Sequence, residues 1–578
     1  MKLVQIIGIN GPFFLSISVP RIMPRKRQSS NANLEPMVTI QAKAKKSKSE
    51  LIIDQLQNKN EALEILPNLS GEQIQALLAQ GGTGKDILNV LHSENEEKLK
   101  APEISVVFTA CQAFFLHLTE KLENCQEEGK EEVQKFKKLG VELCREVLED
   151  HIGYIILLLS GSNTVYQVKS SLRLLTSMVT FHHQTAREVL SKLDFEHKHW
   201  ESVSKRTNSR EIREAFVQFL LSFFIINHPG VAKDFLDKKN LLASIFPGLT
   251  KDDAQLVQLI LTSFKEKVLE NSTLSKTSKM KLFSVYNLKF ILRLYDSWTG
   301  AYTNLESDDE YLQHKVDIIE VVNEFLLAAC TSSKHGLVFQ DPSYGTSGSN
   351  MNHLLLNFLH SIVEPWTNPT LANLVIQSLS TCPDQIRPYF SKTIQPLWQP
   401  RASSAWYQVI DFLHAILQGL NVDKILDDVQ HSKMQITVVC NFLVNEKIFK
   451  EIIQVGMQSN QDHVVKIKVL ELLHMLLNKL EPVLLINKSV AKQILFRLQD
   501  KLPSIQDLIG VWHNELERCQ ADDKDQMKYL PMLTEILSFY LKHFAERYSN
   551  LQDLDLQTML EKASVVDKTE GLVCLQVF

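Results

Sequence analysis

Apolar residues recur along this chain at steps of three and four. The clearest run is Ile212, Ala215, Phe216, Phe219, Leu220, Phe223 and Phe224, which fall on one face of a helix with 3.6 residues per turn. The same step recurs in Ile318, Val321, Val322, Phe325, Leu326 and Ala329, and in Trp406, Val409, Ile410, Leu413 and Leu417. Val469, Leu472, Leu473, Leu476 and Leu480 repeat it, as do Leu533, Ile536, Leu537, Tyr540, Leu541 and Phe544. Residues 104–118 and 139–159 read as two more apolar helical stretches, with the lysine-rich NCQEEGKEEVQKFKK between them. Ser70-Gly-Glu-Gln73 matches a capping box ahead of Ile74, Leu77 and Leu78. No pair of alternating strand runs joined by a hairpin turn interrupts this pattern. The expected class is all-α.

Strong helices begin near Leu172, Ile212 and Leu256, at intervals of about 40 residues that suit the two-helix units of armadillo and HEAT arrays. A chain of 578 residues is too long for one compact core, and stacked units bury such helices economically. The expectation is therefore an armadillo/HEAT-like helical solenoid with a disordered basic N-terminal arm. The organisation expected is an arm over 1–50, a short helical lead-in over 51–100, a helical repeat domain over 101–450, and continuing helical repeats over 451–578. Within the arm, residues 1–22 read as an extension ahead of a natural start at Met23. One segment departs from the helical pattern: SSKHGLVFQDPSYGTSGSN, at 332–350, is rich in Gly, Ser, Pro and Asp. Long structureless loops in helical arrays are usually functional or disordered, and Lys334, His335, Phe339 and Tyr344 are the candidate interaction residues of this one. The two aromatics favour a loop folded over the helices.

Charge changes the picture at one end. The net charge is −5, yet the first fifty residues carry nine Lys or Arg against Glu35 and Glu50. Arg25, Lys26 and Arg27, with Lys43, Lys45, Lys46 and Lys48, form clusters of the size that target nuclei or contact phosphates. Lys276, Lys279 and Lys281 form a weaker basic set, read as a solvated helix edge rather than an RNA contact. Eight scattered cysteines with no CxxC spacing point to a reducing compartment and away from disulfides or structural zinc. Apart from the apolar residues 3–19, broken by Asn10-Gly11-Pro12, no stretch is long enough to read as a membrane span.

Candidate chemistry is sparse. GGTGK at 81–85 lacks the first glycine and the hydroxyl of a phosphate-binding P-loop, carrying Ala79 and Asp86 there. It reads as a turn between helices. His182, His183, His197 and His199 lie within eighteen residues but without a thiolate or carboxylate at ligand spacing, so surface or inter-helix roles are favoured over a metal. Asp252-Asp253, Asp308-Asp309-Glu310 and Asp427-Asp428 sit where helices start or end, as capping would place them. Trp406 fits the core face of its own helix better than a base-stacking role beside Arg401. No catalytic, cofactor-binding or metal-binding residue is assigned, and the chain is expected not to be an enzyme.

Five collinear segments carry a family resemblance. SSLRLLTSMVT at 170–180, REIREAFVQFLLSFFI at 210–225, SSKHGLVFQDPSYGTSG at 332–348, TCPDQIRPYF at 381–390 and QPRASSAWYQVIDFL at 399–413 resemble the N-terminal region of the Npa1 or Urb1 type of large-subunit biogenesis factor. The resemblance covers roughly 100–450. It implies a non-catalytic nucleolar scaffold in early 60S assembly and pre-rRNA processing. It also implies partners: pre-ribosomal RNA, a second helical scaffold, a DEAD-box helicase, small assembly proteins and small nucleolar RNAs, with no membrane and no small-molecule substrate. Family members are several times longer than this chain. The alternative from another class is a cytoplasmic armadillo-like transport or signalling adaptor that binds peptides.

Overall fold

The computed structural model describes residues 52–91, 100–124, 130–160, 163–205, 209–301, 307–429, 431–458, 460–486, 488–519 and 529–544. Every regular element among the described residues is helical. The chain divides into two compact units, Met1–Val268 with Thr299–Asn304, and Leu269–Trp298 with Leu305–Phe578.

In the first unit the helices form two rows. One row is α1 (Ala101–Asn124), α3 (Val165–Phe181), α5 (Arg210–Ile225) and α7 (Ala254–Ser263), each packed on the next. The other row is α2 (Lys130–Glu149), α4 (His183–Lys192) and α6 (Pro229–Leu236), packed in the same way and against the first row. Helices α3, α5 and α7 are those expected from the intervals near Leu172, Ile212 and Leu256. Ion pairs between successive repeats keep that spacing: Arg145–Glu188 and Lys192–Glu149 are 43 residues apart and Lys169–Glu211 is 42 apart. Each is solvated, so each contributes little to stability.

Burial explains the sequence pattern. Every member of the Ile212-to-Phe224 stripe on α5 is at most 3% exposed. The far side is buried too at Val217 and Leu221, as is Arg213 at the stripe's edge, because α5 is flanked on both sides by its row. Phe219 stacks on Trp200 with ring centroids 5.5 Å apart, and Phe223 stacks on Phe235 of α6 at 4.2 Å. Such rings each bury about 2–3 kcal/mol of apolar surface. Helix α1 is long and apolar enough to cross a membrane by composition, but Phe108, Phe114 and Phe115 are wholly buried in this core.

Two details differ from the expectation. The segment KEEVQKFKK is not a spacer but the first turns of α2, whose buried residues (Gly140, Leu143, Cys144, Val147 and Leu148) all lie in its last turns. The apolar run 139–159 is two helices, because α2 ends at Glu149 and a separate helix spans Ile152–Leu159.

The second unit repeats the two-row plan with larger steps. After α8 (Lys276–Leu282), one row runs α9 (Asp308–Thr331), α11 (Pro369–Thr381), α13 (Ser404–Gln418), α16 (His463–Ile486) and α19 (Tyr529–Phe544). The second row is α10 (His353–Leu359), α12 (Ile386–Tyr389), α15 (Ser432–Phe442) and α17 (Lys488–Leu498); α14 (Val422–Asp428) and α18 (Ile505–Cys519) complete the set used below. Cross-repeat pairs are wider here: Lys468–Asp411 spans 57 residues and His474–Glu535 spans 61. Short helices inserted between row members, α14 among them, lengthen the repeat and hide it from a fixed-interval search.

Candidate interaction site

The 332–350 segment is the site that the sequence singled out, and its geometry begins with asparagine. Asn352 Oδ1 accepts the Phe339 N–H at 2.8 Å while its Nδ2 donates to the Phe339 carbonyl at 2.9 Å. One side chain thus imitates a strand partner for one loop residue. The same Nδ2 also donates to Asp384 Oδ2 at 3.1 Å, and Asn352 is 2% exposed. Asp384, in the turn before α12, has its carboxyl held above the usual carboxylate range by burial, against the pull of hydrogen bonds from Gln385 and Asn352. Gln385 Nε2 donates to both Asp384 and Asn350.

The loop's centre is a side-chain-capped turn. Asp341 accepts from Ser343 N at 2.8 Å through Oδ1 and from Gly345 N at 2.9 Å through Oδ2. Tyr344 takes a left-handed φ of +49°, a cost of about 1–2 kcal/mol for a residue with a Cβ. Its ring is buried, and its hydroxyl donates to Asp428 Oδ2 at 2.6 Å at the end of α14. Gly345 follows at φ +78°, where a Cβ would lie 3.3 Å from the Asp384 carbonyl oxygen. Burial and the Asp428 bond together push the Tyr344 phenol well above its ordinary range.

Lysines of α8 hold the loop's first half. Lys276 Nζ lies 4.7 Å from the centre of the Phe339 ring and donates to the carbonyls of Ser333 and Val338, both at 2.5 Å. Lys279 is 2% exposed and donates to Leu269 O at 2.6 Å and to His335 O at 3.1 Å. Burial lowers both ammonium pKa values from the ordinary lysine value. The basic set at 276–281 is therefore not a solvated edge: two of its three lysines are spent on backbone carbonyls of the loop and its surroundings. Of the four candidate residues, Lys334 is exposed, His335 and Phe339 are half-buried, and Tyr344 is buried. The structure brings Phe339 and Tyr344 into the packing and leaves Lys334 at the surface.

The other candidates resolve as follows. The arm cations Arg25, Lys26, Arg27, Lys43, Lys45, Lys46 and Lys48 lie outside the described residues. Thr83 caps the short helix Gly84–Leu88, and Asp86 Oδ2 accepts Thr83 N at 2.6 Å, so GGTGK makes a capped turn whose Asp86 carboxylate occupies the N-terminus a phosphate would need. Trp406 is wholly buried, its Nε1 donating to the Trp398 carbonyl. Asp253 is the N-cap of α7 and Ser307 that of α9, whose first turn holds Asp308, Asp309 and Glu310. The four histidines split into two places: His182 contacts His183, which stacks on His228, while His197 and His199 face one another with Nδ1 atoms 2.6 Å apart. Among the described residues no three His, Cys, Asp or Glu side chains converge as a metal site would require.

His199 yields a pH prediction. Burial and then the neighbouring His197 lower its pKa to about 4. Between an unfolded value near 6.5 and that folded value, the unfolded chain binds a proton that the folded chain excludes. Stability is therefore whole above about pH 6.5, falls as the pH drops towards 4 and levels off below. The shift from 6.5 to about 4 corresponds to about 3.4 kcal/mol, which solvent screening brings down to an expected loss of roughly 2 kcal/mol. Urea titrations followed by circular dichroism should show a shallower acid slope for His199→Gln; an unchanged slope would assign the effect elsewhere.

Asp252 is not a cap, as the sequence suggested; Asp253 takes that place and Asp252 turns inward to Arg213, a pairing nothing local signals. Arg213 on α5 and Asp252 before α7 are both wholly buried, with Nε to Oδ1 at 3.0 Å and Nη2 to Oδ2 at 2.7 Å. Arg213 Nη2 also donates to the Ile245 carbonyl at 2.6 Å. The guanidinium is so close to Gly248 that a Cβ there would sit 2.6 Å from its central carbon. Burial is the larger influence on Asp252 and raises its carboxyl, with Arg213 pulling it down. Arg213 had only its place in a resembling segment to mark it.

A polar cleft of about 600 Å³ opens between α13, α16 and α19. Its wall carries Asp411, His414, Lys468, Glu471, His474 and Asn478. Lys468 Nζ bridges Asp411 at 2.8 Å and Glu471 at 3.3 Å, and their combined pull raises its pKa against burial. His474 Nε2 meets Glu535 at 2.6 Å. The polar lining is thus made of carboxylates, amides, lysines and histidines, with no Ser, Thr or Cys among them.

Comparison with known proteins completes the site. The family model described as Npa1, ribosome 60S biogenesis N-terminal, matches residues 85–409. The chain belongs to the Npa1 family. Its match takes in both rows of the first unit and, in the second, the whole 332–350 loop with its Asn352 and Asp384 anchors. Nucleolar pre-ribosomal-associated protein 1 of Mus musculus is 29% identical over 330 residues, 56% of this chain and 14% of that protein. The Homo sapiens protein of the same name is 29% identical over 332 residues, with the same coverage. The chain thus spans about a seventh of the length of these relatives. Among solved structures, an engineered protein aligns over 74% of this chain and 98% of its own at 12% identity and a TM-score of 0.29. Kap121p bound to Pho4p aligns over 92% of this chain and 50% of its own, also at 12% identity, with a TM-score of 0.21.

Proposed function

We propose that this chain acts as a non-catalytic scaffold in early assembly of the large ribosomal subunit, working in the nucleolus. The observation that carries the reading is the Npa1 match across 85–409. The name that both relatives carry, nucleolar pre-ribosomal-associated protein 1, supports it. Two-row helical units offer long surfaces with rigidly fixed side chains, the property a scaffold needs. On this reading the chain holds separate pre-ribosomal RNA segments and assembly factors together, the partners being a second helical scaffold, a DEAD-box helicase and small nucleolar RNAs. The arm cations from Arg25 to Lys48 supply an electrostatic first contact. Lys334, with the ordered loop around His335, Phe339 and Tyr344, presents a fixed protein-facing feature. Residues 101–450 form the working domain, and 451–578 extend it.

Depletion of the protein in its own cells tests the reading. Precursors of the large-subunit RNA should accumulate while small-subunit precursors stay at their normal level, and the tagged chain should concentrate in nucleoli. Normal large-subunit precursors, or a tag excluded from nucleoli, would overturn it.

A further inference from the structure

Five basic side chains of the first unit gather on the row α2, α4 and α6. They are Lys137 of α2, His182, His183 and Arg187 at the start of α4, and His228 at the start of α6. The His182 and His183 ring centroids are 4.0 Å apart. His183 and His228 lie 4.9 Å apart and within 12° of parallel, and His183 is exposed. Arg187 reaches across to the same place: a Cβ on Gly230 would sit 2.9 Å from its Nη2 and 3.2 Å from His228 Cε1.

The tautomers are set by local hydrogen bonds. His182 Nδ1 accepts the N–H of Gln184, and His228 Nδ1 accepts the N–H of Val231, both at 3.3 Å. With Nδ1 occupied as an acceptor, each neutral ring must carry its proton on Nε2, so each offers a donor away from its own helix. His182 and His228 are also the N-caps of α4 and α6, whose free N–H groups add partial positive charge.

We propose that this cluster binds the phosphodiester backbone of single-stranded RNA, with the parallel His183 and His228 rings as a platform for a base. Cations neutralise phosphates while imidazole faces and guanidinium planes stack on unpaired bases. A phosphoprotein segment would use the cations but leave the ring pair without a role. The electrostatics agree. Burial comes first in lowering the His182 and His183 pKa values, and every charge acting on them, from Lys137, Arg187 and the neighbouring histidines, is positive. A bound phosphate relieves that repulsion. The choice of RNA rests on the proposed scaffold function; the anion site itself rests on the cluster.

The test uses the full chain, in a background where Arg25, Lys26, Arg27, Lys43, Lys45, Lys46 and Lys48 are each replaced by Gln so that the arm does not mask the site. Fluorescence anisotropy with a labelled twelve-nucleotide single-stranded RNA is measured across salt concentrations. Combining Lys137→Gln, His183→Gln and Arg187→Gln, which spares both caps, should weaken binding about tenfold or more and flatten the salt dependence by roughly one to two counterions. Melting curves of the triple variant should match those of its parent. Undiminished RNA affinity in the triple variant, no RNA binding by the parent, or preference for a phosphoserine peptide over RNA would each overturn the proposal. Reintroducing the triple variant into depleted cells separates the two readings. Lost RNA affinity with normal precursors keeps the site and removes it from subunit assembly; normal affinity with defective precursors keeps the function and removes the site.

Discussion

Replacing Arg213 with Met is expected to lower the stability of the first unit by about 3–5 kcal/mol, the largest loss for any single change considered in this protein. The reason is what stays behind. Asp252 is wholly buried and would keep a carboxylate with no guanidinium, while the Ile245 carbonyl would lose its donor. Desolvating a charge that has lost its main counter-ion costs several kcal/mol, and the site is closed to bulk water, since Asp252 and Ile245 are wholly buried. Asp252→Leu alone should cost a similar amount by stranding the arginine. The double variant, Arg213→Met with Asp252→Leu, should recover most of the loss, since a buried pair is often replaceable by apolar groups of matching volume. Thermal melts by circular dichroism over this cycle measure the coupling directly. A coupling near zero would show that the pair is a bystander to packing. If the coupling is large, the pair's place explains why: it ties α5 to the turn that starts α7, one repeat further along, so it fixes the step between repeats as well as their strength.

The stacking of helices is legible in the amino-acid sequence because burial writes its period on the chain. Phe216, Phe219, Phe223 and Phe224 all point into the core between rows, and their spacing says so. The same logic fails at a stripe's edge: on α5, Arg213 lies in line with Leu220 and Phe224, where an arginine ordinarily runs its stem along the core and its head into solvent. Its partner lies 39 residues away, across a turn, and nothing local signals the pairing. Lys276 and Lys279 are hidden for a related reason. A lysine whose ammonium meets carbonyl oxygens rather than carboxylates leaves no charge pattern, so a half-buried Lys276 and a buried Lys279 look like a wet edge. The loop at 332–350 is legible as ordered through Phe339 and Tyr344. Its anchors are not, because Asn352 and Asp384 bond to backbone and to one another, and either residue type serves as well in an ordinary turn. The longer repeats of the second unit escape detection because inserted short helices change the interval while leaving the row-to-row packing intact.

Substituting Asn352 with Ala is expected to release the loop without unfolding the unit. Three hydrogen bonds depend on that one amide: two to the Phe339 backbone and one to Asp384. Asp384 is 8% exposed, so its carboxylate keeps only Gln385 as a side-chain donor once the amide is gone. Leaving these groups unmet costs about 2–3 kcal/mol, less than the Arg213 change because Phe339 is half-buried and water can reach its backbone. Lys334 provides the readout, being an exposed trypsin site at the start of the loop. Limited proteolysis should cut Asn352→Ala after Lys334 several times faster than the parent protein, at a temperature where the helices remain folded. Asn352→Asp sharpens the test. It keeps an acceptor for the Phe339 N–H but removes both donated bonds and sets a second carboxyl beside Asp384. Two carboxylates so placed cannot both ionise cheaply, so the variant should be as labile as the alanine form at neutral pH and recover towards the parent as the pH falls and one of them takes a proton. Equal cleavage rates for all three proteins would mean that Lys276, Lys279 and the Tyr344–Asp428 bond hold the loop without Asn352. A loop fixed by Asn352 is one whose exposed Lys334 is held in a set position, and the same variants, assayed for precursor processing, ask whether that position matters to the assembly it serves.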